Sequence, residues 1–365
     1  VPQSAASSAA LLPQPEQAQR DPVKALAGCA VFAALFLAAL TWAKWIPYMG
    51  KLGDAWSTHS WSGKNLLANA GSAGSAPSLE GAWSFMRAYI EAIWPAIVAA
   101  LLIGAGVQAI LPRRVLLAPT RCGGELRQSL VGGVASLPTL MCTCCTAPVA
   151  VSLRRQGVPR PTALAYWIGN PVLNPAVLAF LALVGPWQWA VTRVLAGSLL
   201  VFGATTLVAR LAAGPEVDTP PAPQEDRWQL GGVGARYGAA LLRLAVTLLP
   251  EYVLVLFLLG LFRGWAFPFD VGTAQLGVLA VLIAAVLGTL MVIPTAGEIP
   301  IVQGLAALGV GSGAIGALLI TLPAISLVSM AMVVRTFSVR VTLAMAAAVA
   351  ICGMLAGALL WALSG

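Results

Sequence analysis

The sequence predicts an all-α polytopic membrane protein: an inverted repeat of three spans plus a re-entrant broken helix, preceded by one extra N-terminal helix. Three observations predict it. Of 365 residues, 59% are hydrophobic and only 9% are charged, whereas a soluble domain carries about a quarter charged residues. Apolar blocks of about 20 residues or more, enough to cross a bilayer, recur along the chain. Gly and Pro also return at matching positions in the two halves, the mark of an internal repeat. The 21 Lys+Arg against 13 Asp+Glu give a net charge of +8. In so apolar a chain that excess marks cytoplasmic loops. The lipid bilayer is therefore the expected partner, and nucleic acid is not.

In chain order, residues 1–24 are an expected disordered cytoplasmic tail, rich in Ala, Ser, Gln and Pro. Residues 25–47 form the extra N-terminal transmembrane helix. It has no clear small-residue cleavage site, which argues against a signal peptide. Residues 48–82, rich in Gly, Ser and Asn with Trp56 and Trp61, are expected to be an extracytoplasmic loop. The first repeat is 83–211, with apolar blocks at 83–111, 129–153, 161–184 and 188–211. Pro215, Pro220, Pro221, Pro223, Glu216, Asp218, Glu225 and Asp226 make 212–236 a linker, expected in the cytoplasm. The second repeat is 237–365, with blocks at 237–262, 273–308, 313–334 and 340–363. Residues 273–293 are by themselves long enough to span.

The repeat rests on fixed offsets. Pro148 and Gly157 lie over Pro300 and Gly309, and 300−148 and 309−157 both give 152. Ala165 over Ala317, Ile168 over Ile320, Pro171 over Pro323 and Asn174 over Ser326 keep that offset. Gly104 over Gly260 and Pro112 over Pro268 align at 156. Arginine placement sets the orientation. Arg113, Arg114, Arg121 and Arg127 precede block 129–153, and Arg154, Arg155 and Arg160 follow it. Both its ends therefore belong in the cytoplasm, and it must turn back. Pro138 and Pro148 flank Thr139–Thr146 within it, and a helix breaks at membrane depth only where protein or a polar cavity satisfies the freed backbone. Carried through, the second half is upside down, with its own break at Pro294–Pro300. The N-terminus is then inside, the C-terminus outside, and 15 of the 21 basic residues lie inside or at the inner boundary. The exceptions are Lys44, Lys51, Lys64, Arg87, Arg193 and Arg263.

In transporters built from inverted repeats, substrate sits where the broken elements meet near the midplane. Cys142-Thr143-Cys144-Cys145 stands at the first break. Thiolates are soft ligands and suit thiophilic ions, so Cys142, Cys144 and Cys145 are the candidate substrate or metal ligands. Cys29, Cys122 and Cys352 are lone and read as small apolar fillers. Thr143 and Pro148 flank the thiols. Asn170 and Asn174 bracket Pro171, serving either freed backbone groups or substrate. In the second break, Thr295 is a candidate contact. Glu298, an ionisable residue within a span, is the candidate for proton coupling. Glu91 and Glu251 read as interfacial ion pairs with Arg87 or Arg243. Gly311–Gly316 fits Gly-x-Gly-x-x-Gly by spacing only, because no strand precedes it. There is no Gly-x-x-x-x-Gly-Lys-Ser/Thr segment, and the single His59 excludes a His-rich metal site. No cofactor is expected, nor an enzyme activity.

The run Cys142-Thr-Cys-Cys-Thr-Ala-Pro148, then Arg154-Arg-Gln-Gly157, then Gly169-Asn-Pro-Val-Leu-Asn174 resembles the YraQ/ArsP type of predicted permease. The similarity covers roughly 83–363 and is sharpest at 142–174. The resemblance implies efflux of trivalent organoarsenicals, with Cys142 and Cys144 matching the family's Cys-x-Cys as arsenic ligands. Cys145 stands where a Gly is common. The expected function is thus a permease of the cytoplasmic membrane exporting a small thiophilic solute, and a homo-oligomer is compatible with it. The alternative is a membrane-embedded thiol protein for redox chemistry or copper-like soft-metal delivery.

Overall fold

The computed structural model describes residues 22–60, 76–120, 123–212, 232–261 and 278–364, and every regular element among them is helical. Apolar composition leaves helices as the way to satisfy the backbone in lipid. The N-terminal span is longer than the sequence suggests. It runs as α1 (Pro22–Leu40), a π-helical turn at Thr41–Trp45 and α2 (Ile46–Thr58), so the start of the expected loop at 48–82 is helix. The isolated Gly50 and Gly53 read as loop but are carried within α2, which packs on the bundle through Tyr48 and Ala55. The tail up to 21, residues 61–75, Cys122, and linker residues 213–231 lie outside the described residues. Leu26, Val31, Leu37 and Trp42 are exposed, a face suited to lipid.

After α3 (Leu79–Ala109) and the short α4 (Arg113–Leu117), the chain enters α5 (Glu125–Ser136). A 3-10 turn at Leu137–Thr139 and a break at 140–142 lead to α6 (Thr143–Arg155), then α7 (Arg160–Leu173) and α8 (Pro175–Val184). Next come α9 (Trp187–Ser198), a π-helical stretch at Leu199–Ala204, α10 (Thr205–Leu211) and α11 (Val233–Leu261). The second half follows. It has α12 (Val278–Leu290), a break at 291–297, α13 (Glu298–Ala307), α14 (Ser312–Ala324), α15 (Leu327–Phe337) and α16 (Val339–Ser364). Each break holds one non-glycine residue in left-handed backbone, Leu140 (φ 49°) and Ala296 (φ 66°), a conformation that L side chains seldom adopt.

α5 and α6 form a hairpin. α6 runs antiparallel to α7, since Thr146 Oγ1 donates to the Trp167 carbonyl at 2.9 Å and Arg154 Nη1 to the Val158 carbonyl at 3.0 Å. α5 runs parallel to α7. A Cβ on Gly132 would fall 2.0 Å from the Thr162 carbonyl oxygen, and Asn170 Nδ2 donates to the Ser136 carbonyl at 2.6 Å. The chain therefore enters with α5, reverses at the break and leaves with α6. In the second half, Val281 lies against Gly313, and a Cβ on Gly288 would meet Thr321 Oγ1 at 2.2 Å. α12 is thus parallel to α14 in the same way. As helix α12 covers only Val278–Leu290, with residues 262–277 outside the described set.

The two hairpins approach opposite ends of the α7–α8 span. Arg113 Nε donates to the Gln156 carbonyl at 3.0 Å, beside the start of α7. Gln303 Nε2, on α13, reaches the Val184 carbonyl at 2.9 Å, where α8 ends. Six helices among the described residues are long and apolar enough to cross a membrane, or seven if the α14–α15 pair, bent by 52°, is one span. The chain is an all-α polytopic membrane protein.

Candidate functional site

The break before α6 gathers the three thiols. Cys142 stands at the N-cap of α6. Its Sγ lies 3.0 Å from Cys145 Sγ. Cys144 Sγ lies 3.4 Å from Ser326 Oγ. Ser326 belongs to the other half, where it caps α15 in a reciprocal pair with Ser329. Two half-helix N-termini, those of α6 and α15, therefore converge on the thiols. Backbone N–H groups at such termini present positive partial charge. Cys142, Cys144, Cys145 and Ser326 are all buried.

Three more buried groups lie within electrostatic range of them. The hydroxyls of Tyr89 and Tyr252 have no hydrogen-bond partner, and both tyrosines are within electrostatic range of the thiols. Lys44, on the π-helical turn, is within range of Cys142 and Cys145. Its Nζ donates to Thr295 Oγ1 at 3.3 Å, while Tyr48 OH donates to the Thr295 carbonyl at 3.2 Å. One residue along, Trp45 Nε1 donates to the Pro138 carbonyl at 2.9 Å. The N-terminal helix thus touches both breaks within five residues, at a π-turn, a feature frequent at functional sites.

The other expected residues divide. Thr143 begins α6, and its carbonyl accepts from Thr146 Oγ1. Pro148 lies one turn further along α6, where its carbonyl accepts from Ser152 Oγ. Asn170 serves the backbone. Its Oδ1 accepts from the Met141 amide at 2.6 Å and its Nδ2 donates to the Ser136 and Leu137 carbonyls. Both amide protons are used, so the structure places Asn170 as a staple across the break rather than at a ligand. Asn174 caps α8 by accepting from the Ala176 and Val177 amides, and its Nδ2 is buried without a partner.

Glu298 is not a lone acid. Arg193 Nη1 lies 2.7 Å from Glu298 Oε1, and both side chains are buried. Arg193 also donates to the Val172 and Pro171 carbonyls at 2.9 and 2.8 Å, so it ties the end of α7 to the start of α13. Glu91 pairs with Arg87 as expected, but Glu251 pairs with Arg335 rather than Arg243. Among the described residues, no three His, Cys, Asp or Glu side chains form a group that could hold a metal ion. The expected three-sulfur metal site is therefore not preformed, because Cys144 turns to Ser326. Sequence reasoning missed Lys44, Tyr89, Arg193, Tyr252 and Ser326 as site residues. For Lys44 and Arg193 a signal existed: both were exceptions to the arginine and lysine bias. A charge on the wrong side of such a bias is a candidate for the bundle interior.

The sequence is similar to those of known proteins. A family model described as a predicted permease matches residues 78–227. The chain is 40% identical over 337 residues to UPF0718 protein YraQ of Escherichia coli (strain K12), covering 90% of this chain and 94% of that protein. No solved structure matches.

Proposed function

The chain belongs to the predicted-permease family that contains YraQ, and from that footing we propose that it is a secondary exporter of a soft, thiophilic solute across the cytoplasmic membrane. A trivalent organoarsenical is the model substrate. The observation that carries this reading is the thiol cluster at the seam between halves, with Cys142 against Cys145 and Cys144 against Ser326. Oppositely directed hairpins support an inverted repeat, and that architecture suits alternating access around a fixed midplane site. For an arsenic centre carrying two hydroxyls, each As–O bond is replaced by an As–S bond. Each thiol proton leaves with the hydroxide as water. Two sulfurs suffice, and exchange stays faster than from a closed structural metal cage.

Coupling is assigned to the Arg193–Glu298 pair. Protonating Glu298 removes the counter-charge of Arg193 and loosens α13 from α7. The groups facing Glu298 in this role are Arg193 at 2.7 Å and Tyr48 within electrostatic range. The 3.0 Å contact of Cys142 with Cys145 also suits a dithiol redox protein, which is the second reading. A resistance and transport screen with soft metals and organoarsenicals, with and without the gene, separates them. Export that requires the cysteines supports the permease. Loss of the cysteines without any transport defect rejects the thiol site.

A further inference from the structure

We infer that the solute held at the thiols is a soft anion: its thiophilic atom meets Cys142 and Cys145, and its negatively charged group meets Lys44. The inference rests on the exporter reading and names the charge of its substrate.

Lys44 is 7% exposed. Burying an ammonium is costly unless it is paired, yet its direct contacts are neutral: Thr295 Oγ1 at 3.3 Å and the Tyr48 ring, 5.3 Å to its centroid. Among the described residues neither Lys44 nor Lys51 forms an ion pair with a carboxylate. Glu298, three residues beyond Thr295, is already engaged by Arg193. Lys51 stands over the same Tyr48 ring, 5.6 Å to its centroid, and is exposed. Two like charges flanking one ring repel each other, a cost that an anion between the protein and these lysines would offset. They form a short cationic track, with Lys51 toward the surface and Lys44 inside.

Other buried groups near the thiols supply donors. The Tyr89 and Tyr252 hydroxyls are buried and unpartnered. The N-termini of α6 and α15 meet at Cys144 and Ser326, and helix N-termini favour anionic groups. A neutral organometal would use the sulfurs and leave this cation and these donors unmatched.

The test uses the full chain in liposomes and two matched arsenic(III) probes, phenylarsenoxide and its 4-carboxylate, read by uptake into vesicles and by protection of the cysteines from maleimide. We expect the carboxylate to be preferred by about tenfold, the scale of one charge-assisted contact. Lys44→Met should abolish that preference, and Lys44→Arg should retain it. Met keeps the length of the stem and removes a buried charge, so folding should survive. If Lys44→Met leaves the preference intact, or weakens both probes equally, the anion assignment is overturned. The exporter reading fails separately, if a Cys142→Ser/Cys145→Ser variant still carries both probes at the wild-type rate.

Discussion

At the scale of single residues, the site is governed by where uncompensated chemistry is buried. Cys142 touches Cys145, so its loss removes the closest sulfur pair. Cys144 alone reaches the second half through Ser326. We therefore expect Cys144→Ser and Cys142→Ser to abolish resistance while expression and folding persist. Cys29→Ser and Cys352→Ser, outside the cluster, should be nearly silent in the same growth assay. The Arg193–Glu298 pair yields a second prediction. Glu298→Gln leaves Arg193 as an uncompensated buried charge, at a cost of about 3–5 kcal/mol. An Arg193→Met/Glu298→Met double variant should be markedly more stable than the single one in thermal unfolding in detergent. If coupling runs through this pair, Glu298→Gln must also flatten the pH profile of transport. An unchanged profile would remove Glu298 from coupling.

At the scale of elements, the breaks were legible and their furnishing was not. Prolines around Cys142–Cys145 and at Pro294–Pro300 announce interrupted helices, because proline removes a backbone donor and clashes with the preceding turn. The structure adds left-handed Leu140 and Ala296 at those places. Composition does not reveal which side chain will repair a break. Asn170 was as readable a ligand as a staple, and only its three backbone bonds decide. Losing them leaves buried groups unsatisfied at about 1–3 kcal/mol each. Asn170→Ala should therefore lower the melting temperature sharply and loosen the thiols, seen as faster maleimide labelling of Cys142. Labelling at the wild-type rate would contradict the staple. The N-terminal helix illustrates a different blindness. Apolar and lipid-facing along α1, it reads as an accessory, and nothing in its pattern shows that Lys44, Trp45 and Tyr48 reach both breaks. Tyr89 and Tyr252 were equally hidden, since an aromatic in an apolar run fits the core as well as a site.

At the scale of the whole molecule, charge and geometry make one statement about sidedness. Arg113 reaches the turn after α6, and Arg210 pairs with Glu125 at the start of α5. The basic ends of α4, α6 and α10 therefore share one end of the bundle with the entry to the first hairpin. Trp167, in the first half of the α7–α8 span, stacks on Phe337 at 6.4 Å between ring centroids, which brings the end of α15 and Arg335 toward that same end. Short loops rich in Lys and Arg are retained in the cytoplasm. The second hairpin is tied instead to Val184, at the far end of the α7–α8 span, and α16 runs from Val339 back across the bundle. The expected topology therefore has the 212–236 linker in the cytoplasm and the C-terminus outside, with residues 308–311 of the second hairpin also outside. Fusions of a reporter active only in the cytoplasm should be active within the linker and silent after Gly365. A membrane-impermeant thiol reagent applied from outside should label a cysteine placed at Leu308 and spare one placed at Gln156. Activity after Gly365 together with labelling at Gln156 would turn the molecule over. Lys51 and the cationic track above Lys44 would then face the cytoplasm, and solute would meet them on entry rather than on release.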